Sequence, residues 1–334
     1  MAYQPPFQLT NRMTILVANI AELVGSWKAV NNNSLVPELR RGNRIRTIQA
    51  SLAVEQNTLS VEQVTAVLEG KTVLGQPREI QEVRNAFVAY EAMEQWQPHS
   101  IDDLLVAHGV LMKGLVDEPG RLRSGGTGIY QGQELVHMAP PAKQLPRLMG
   151  DLTTWLENTD AHPLIASAAF HYEFEFIHPF TDGNGRMGRL WQTLILSHWQ
   201  PILAYLPVET VIKHRQRDYY QLLGEADTLG DCSTFIEFLL QALESSLQDA
   251  IGSQFKSSET RVEARVKTRV KTPDLILETL AKQPKLTLAE VAQAIGRSTS
   301  AVERAVAKLK QQNKLSYHGP KKGGAWQVHS GKEA

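Results

Sequence analysis

Residues 178–189, His-Pro-Phe-Thr-Asp-Gly-Asn-Gly-Arg-Met-Gly-Arg, constrain this chain more than any other stretch. Pro179 stops a helix that ends at His178, because its ring lacks an N–H and clashes with the preceding turn. Gly183-Asn184-Gly185 then makes a turn that tolerates φ > 0 at both glycines and leaves backbone N–H groups open to approach. A helix that begins there adds its own unpaired N–H groups and the positive end of its dipole, which together form an anion seat. Arg186 and Arg189, three residues apart, share one face of that helix, and their guanidinium forks suit phosphate oxygens. Asp182 is placed for a Mg²⁺ that bridges those oxygens. His178 is the nearby group whose ordinary pKa suits a general base near neutrality. A single His, Asp or Arg is usually surface chemistry, but all of these types at this spacing read as a nucleoside triphosphate site with a base beside it.

The run resembles, position for position, the HPFx[D/E]GNGRxxR signature of Fic domains, a family that mostly transfers AMP from ATP to protein hydroxyls. With that resemblance, the residues take roles. ATP lies with its phosphates on Gly183–Gly185, and Mg²⁺ on Asp182 offsets charge on the leaving pyrophosphate. His178 accepts the proton of an incoming Ser, Thr or Tyr hydroxyl. Asn184 donates to an α-phosphate oxygen, and Arg186 and Arg189 hold the β/γ end. Phe180 points into the core and anchors the loop. A rival reading uses other neighbours: His171, Glu175 and His178 stand at i, i+4 and i+7, one helix face, as a metal site would. His171 is otherwise a hydrogen-bonded packing residue.

Further upstream, Ser51-Leu-Ala-Val-Glu55-Gln56-Asn57 resembles the inhibitory motif [S/T]xxxE[G/N] of Fic proteins, in its N-terminal placement. Ser51 and Glu55 match it, whereas Gln56 stands where Gly or Asn is usual. The resemblance implies that Glu55 pairs with Arg189 and keeps the γ-phosphate from docking productively. Asn43-Arg-Ile-Arg, Asn57-Thr-Leu-Ser and Glu82-Val-Arg-Asn resemble the same subgroup. Arg217-Asp-Tyr219-Tyr220 resembles the segment that lines the adenine pocket, where an aromatic face stacks and a phenol bonds the base edge. Residues 121–140 read as a hairpin, with Ile129-Tyr130 and Leu135-Val136 flanking a turn at Gln131–Glu134. In Fic domains a hairpin so placed, the flap, holds target backbone by strand addition. A target protein is therefore expected under residues 121–138.

The rest of residues 1–252 reads as successive helices. Ile45, Ile48, Leu52 and Leu59 mark one apolar face, and Ser60 with Gln63 forms a capping box before Val61–Leu68. Gly70 stops that helix, residues 78–95 repeat apolar positions at helical spacing, and Ser100 with Asp103 forms another box. Further helices are expected at 142–157, 162–177, 184–199, 215–226 and 232–251. Residues 253–273 are polar and basic, either a linker or a continuation of the preceding helix.

From 274 to 330 a second unit follows. Leu275, Ile276 and Leu280 give one helix, Thr287 with Glu290 caps a second, and Ser298 opens a third through Leu309. Two strands about a basic turn complete the order of a winged helix-turn-helix. Arg297, Arg304, Lys308 and Lys310 fall on or beside its recognition helix, and Lys321 and Lys322 on its wing. Residues 253–334 carry 16 Lys and Arg against 7 Asp and Glu, whereas residues 1–252 carry 19 against 28. The basic tail suits a polyanion, so contact with DNA is expected there, or docking to protein.

At 334 residues the chain suits one large domain and a smaller one. Cys232 is its one cysteine, which rules out an internal disulfide and a Cys-based zinc site and fits a reducing cytosol. The first residues lack the basic and apolar regions of a signal peptide. Asn19 and Glu22 interrupt the apolar stretch at 13–24, so no membrane span is expected. The expectation is a mainly α, cytoplasmic protein: a Fic-type helical domain (1–252) with an inhibitory helix around 45–57 and a β-hairpin flap, then a winged helix. Its expected activity is Mg²⁺-ATP-dependent AMP transfer to protein, with autoinhibition and self-modification. The alternatives are removal of AMP, phosphoryl transfer, or a DNA-binding regulator with a nucleotide-sensing body. Self-association as a homodimer stays open.

Overall fold

The chain begins with helices α1 (Asn11–Val30), α2 (Pro37–Val54), α3 (Val61–Leu68), α4 (Pro77–Ala92) and α5 (Ile101–Leu111). An antiparallel hairpin of β1 (Gly128–Gln131) and β2 (Glu134–Met138) follows, its register shifted between Ile129 and Tyr130. Then come α6 (Leu145–Asn158), α7 (Pro163–Ile177), α8 (Asn184–Trp199), α9 (Val208–His214), α10 (Gln216–Leu229) and α11 (Ser233–Arg269). This computed structural model describes residues 3–30, 37–131, 134–269, 272–320 and 323–329. The chain divides into two units, residues 1–252 and 253–334.

Helix α7 organises the larger unit. From Leu164 to Ile177 every residue except Phe176 is buried, as expected of a helix with no polar face. Of its polar side chains, His171 Nε2 is met by the Tyr219 hydroxyl at 2.8 Å, Ser167 by the Leu164 carbonyl at 3.0 Å and Glu173 by the Tyr3 hydroxyl, while His171 Nδ1 and Glu175 Oε1 have no hydrogen bond among the described residues. Helix α8 is buried almost as deeply, from Arg186 to Leu196. The signature loop that joins them is therefore built between two deeply buried helices.

Local signals in the sequence account for most helix ends. Ser60 and Gln63 form a reciprocal capping box, and Gly70 has φ 72° after α3. Ser100 accepts from the Asp103 N–H at 3.1 Å, but the Asp103 carboxylate turns to the Gln97 N–H, so only half of the expected box exists. Leu59 is buried from a loop, because α2 ends at Val54. Helix α9 was not expected: Val208-Glu-Thr-Val-Ile is rich in β-branched residues, and packing against α2 holds it helical. Residues 253–269 continue α11 as helix, while 270–271 lie outside the described residues.

The second unit contains α12 (Thr272–Lys282), α13 (Leu288–Ile295), α14 (Thr299–Gln311) and the antiparallel pair β3 (Leu315–His318) and β4 (Ala325–Val328). Ile276, Leu280, Val291, Val302, Val306, Leu309 and Leu315 form its own core. Thr287 and Glu290 cap α13 reciprocally, and Ser298 caps α14. The Trp326 indole donates to the Leu286 carbonyl at 3.0 Å, tying the wing to the helices. Three helices and a hairpin in this order make a winged helix-turn-helix, so the protein is mainly α, with one small hairpin in each unit among the described residues. Lys321 and Lys322 lie outside the described residues. Among the described residues, no helix is long and apolar enough to cross a membrane.

Candidate active site

His178 ends α7 in the left-handed region, φ 48° and ψ 60°. That conformation costs a residue with a Cβ about 1 kcal/mol, and the loop beyond is locked tightly enough to hold it. The Phe180 N–H donates to Asn184 Oδ1, and Asn184 Nδ2 donates back to the Phe180 carbonyl, both at 2.9 Å. Phe180 is fully buried and stacks on His108 with ring centres 3.6 Å apart. Phe180 is thus buried as the sequence suggested, and the Asn184 amide, read there as a phosphate donor, is already paired with the loop backbone. What Asn184 offers an anion is its backbone N–H in the first turn of α8.

Two side chains that the sequence reading missed fix this loop from outside. Arg123 is buried and spends its donors on carbonyls: His178 from Nε at 2.7 Å, Gly125 from Nη1 at 2.7 Å, and Pro140 and Ile177 from Nη2 at 2.6 and 3.2 Å. It therefore ties both feet of the β1–β2 hairpin to the end of α7. His108 Nδ1 accepts from the Gly120 N–H at 2.8 Å, so its Nε2–H donates to the Asp182 carbonyl at 3.0 Å. Burial pushes His108 down to about 4, which keeps this neutral tautomer in place at neutral pH. No periodicity marks either residue in the sequence.

Gly183, with φ 86°, leads into α8, and no side chain caps that end. The first-turn N–H groups of α8 are therefore not taken by a side-chain cap. Asp182 sits at the rim, 42% exposed, beside a cavity of about 380 Å³ lined by Leu115–Glu118, residues 121–124 and Thr181. Its Oδ1 accepts from the Gly183 N–H at 2.6 Å and from Arg186 Nη2 at 2.9 Å, and its Oδ2 accepts from Arg78 Nη2 at 2.9 Å. Arg186 is buried and also donates to Glu82 Oε1 at 3.1 Å, while Asn57 donates to Glu82 Oε2 at 2.8 Å. Asn57 and Glu82, noticed in separate sequence words, are one hydrogen-bonded pair behind the first signature arginine.

The second arginine is held by the segment that leaves α2. Arg189 is fully buried; Nε donates to Ser51 Oγ at 3.0 Å, and Nη2 donates to the Ser51 carbonyl at 3.0 Å and to Glu55 Oε1 at 2.8 Å. Burial opposes the Arg189 charge, and the Glu55 carboxylate outweighs it, holding the guanidinium above its ordinary range. A methyl group on Gly185 would collide with the Glu55 carboxylate. A carboxylate thus rests against the open N-terminal turn of α8, in the seat the sequence assigns to phosphate.

Gln56 explains why this motif usually has Gly or Asn at its end. It has φ 68°, a left-handed residue closing the helix. Gln56→Gly is expected to remove a strain of about 1 kcal/mol and to raise the thermal midpoint by roughly 2 °C. A lowered midpoint in calorimetry would contradict this account.

The tyrosine pair divides. Tyr219 is buried, its hydroxyl engaged by His171 and its ring packed against Phe235 and Phe238. Its ring is packed on these neighbours, so of the two tyrosines only Tyr220 is partly exposed. Burial followed by the nearby Glu55 charge pushes the Tyr220 hydroxyl up to about 12. Among the described residues, the alternative triad does not form a metal-binding group. Glu175 lies 3.9 Å from both His171 Nε2 and His178 Nδ1, and the His171 nitrogen is already bonded to Tyr219. Burial pushes Glu175 up to about 8 and His171 down to about 3. At neutrality this is a mostly protonated acid beside a neutral imidazole, a packing arrangement rather than a ligand set.

Comparison with known proteins fits the same residues. The sequence model described as the Fic/DOC family matches residues 98–196, and one described as winged helix-turn-helix DNA-binding matches residues 275–315. The solved structure of a Fic family protein from Desulfovibrio desulfuricans G20 is 49% identical, with 99% of this chain and 100% of that chain covered and a TM-score of 0.74. Protein adenylyltransferase fic-1 of Caenorhabditis elegans is 30% identical over 259 residues, 73% of this chain and 48% of its own length. Protein adenylyltransferase Fic of Nematostella vectensis is 31% identical over 219 residues, 62% of this chain and 48% of its own. The chain spans about half the length of these curated relatives.

Proposed function

Because the chain belongs to the Fic family, we propose that it transfers AMP from ATP to a Ser, Thr or Tyr hydroxyl of a target protein, and to itself. The observation that carries this reading is the anion seat at Gly183–Gly185, one loop away from an imidazole at the end of α7. The incoming hydroxyl oxygen bonds to the α-phosphorus as the bond to the β-phosphate bridging oxygen breaks, and pyrophosphate leaves. His178 takes the hydroxyl proton. A long hydrogen bond between Nδ1 and the Glu175 carbonyl, 3.4 Å, favours the tautomer in which Nε2 is the basic nitrogen. Arg186 and Arg189 hold the outer phosphates, Tyr220 borders the adenine, and the hairpin at 121–138 takes target backbone along a strand edge.

Asp182 fits a magnesium ion in such a reaction. It is a half-exposed carboxylate on a polar cavity, and Mg²⁺ commonly takes one or two carboxylates with substrate phosphates and water. When bound, the ion neutralises charge on the leaving group. Glu55 is the inhibitory group: it fills the phosphate seat and holds Arg189. The chemistry and the single buried Cys232 suit the cytoplasm. Labelling decides the reaction type. ATP carrying ³²P at the α position is expected to label protein, and ATP carrying it at the γ position is not. The reverse pattern would make the enzyme a phosphoryl transferase, and no label from either, with Glu55→Gly as well as with the unmodified chain, would leave a nucleotide sensor.

A second activity belongs to the smaller unit. On α14 the side chains of Arg304 and Lys308 are exposed, opposite the buried Val302, Val306 and Leu309. This supports contact with duplex DNA phosphates. The full chain is expected to retard duplex DNA at low salt and to release it steeply as salt rises, because each phosphate contact frees a counterion. Absence of binding at low salt would favour a protein-docking role.

A further inference from the structure

Arg78, in the first turn of α4, belongs to none of the motifs that define the site. It nevertheless reaches the signature loop. Its Nη2 donates to Asp182 Oδ2 at 2.9 Å, its Nη1 donates to the Leu115 carbonyl at 3.2 Å, and its Nε lies 3.6 Å from Glu82 Oε1. Both Asp182 oxygens are therefore occupied by guanidinium groups, and the two arginines differ in how they are held. The Arg186 side chain is 5% exposed and fixed between Glu82 and Asp182. The Arg78 side chain is 54% exposed.

We propose that Arg78 is the resident counter-ion of Asp182 and competes with the divalent cation for that carboxylate. The inference rests on the reading of Asp182 as the cation ligand. A hard dication approaches a carboxylate oxygen to about 2.0–2.1 Å, and a guanidinium already 2.9 Å from the same oxygen would face it as a like charge. Arg78 must swing away for the ion to enter. Glu82 Oε1, 3.6 Å from its Nε although already paired with Arg186, keeps an opposite charge beside Arg78 as it turns out. The exposed ion pair thus sets the cation concentration at which the site fills, and it does so without touching ATP, His178 or Arg189.

Mn²⁺ is the probe. Its affinity is read by the electron paramagnetic resonance of the free ion, on the full chain carrying Glu55→Gly and saturated with α,β-methylene ATP. Arg78→Gln is expected to tighten Mn²⁺ binding roughly two- to fivefold, the scale of a half-exposed ion pair. The difference should shrink as ionic strength rises. Arg78→Lys, which keeps the charge but loses the fork, should fall between the two. Unchanged Mn²⁺ affinity in Arg78→Gln would overturn the proposal, and weakened affinity would overturn it in favour of a phosphate-binding arginine. Asp182→Asn in the same background separates the premise from the inference. It should weaken Mn²⁺, and if it does not, the assignment of the cation to Asp182 falls and the competition with it.

Discussion

Glu55→Gly is expected to raise AMP transfer roughly ten- to hundredfold, each 1.4 kcal/mol of relieved restraint counting for a factor of ten. The Glu55 carboxylate pairs with Arg189 at 2.8 Å and leans on Gly185, so it takes both the guanidinium and the helix N-terminus that the phosphates need. Removing it weakens only the resting state, which shifts the population toward the productive ATP pose. The side chain is 31% exposed and stands at the end of a helix, so its loss leaves the core intact. Gln56 acts in the same direction as the mutation, because a strained helix end holds the carboxylate less firmly. Arg189→Ala in the Glu55→Gly background is expected to be inactive, since the phosphate partner goes with the lock. Transfer by Glu55→Gly that equals or falls below that of the unmodified chain would remove the autoinhibition account.

His178→Ala is expected to lower transfer by roughly 10²–10⁴, the usual worth of a general base, while ATP affinity stays nearly unchanged. The imidazole faces the incoming hydroxyl in this account, and the nucleotide is held by α8 and its arginines. The fold should survive the change. His178 is partly exposed, and Arg123 grips its carbonyl rather than its ring. Alanine in the left-handed conformation adds little strain beyond what histidine already bears. Calorimetry with ATP separates the roles: a parallel loss of nucleotide affinity would mean that His178 binds phosphate instead.

How much of this site could be read from the sequence depends on the range of the interactions. The turn, the anion seat and the stop at Pro179 are local: glycine freedom, proline geometry and helix ends act within a few residues. The same holds for the capping boxes at Ser60 and Thr287, which the structure reproduces with both bonds. The Tyr219 partners are tertiary, whereas Asn184 pairs with the Phe180 backbone only four residues away. An amide that closes a loop and one that points at phosphate look alike in a sequence. A tyrosine pair on a helix does not say which ring meets Phe235 and which meets the site. Arg78, Glu82, His108 and Arg123 belong to the same class. Each lies more than fifty residues from the group it positions in the signature loop, and only the packing of α4, α5 and the hairpin foot against α7 and α8 brings them there.

Intact-mass spectrometry of the Glu55→Gly chain after incubation with ATP and Mg²⁺, with and without His178→Ala, reads the transferred group itself. Glu55→Gly is expected to gain the mass of an adenylyl group, and the double variant is not. An unmodified Glu55→Gly chain that also fails to modify added protein, or an adenylyl adduct that persists without His178, would contradict AMP transfer through His178.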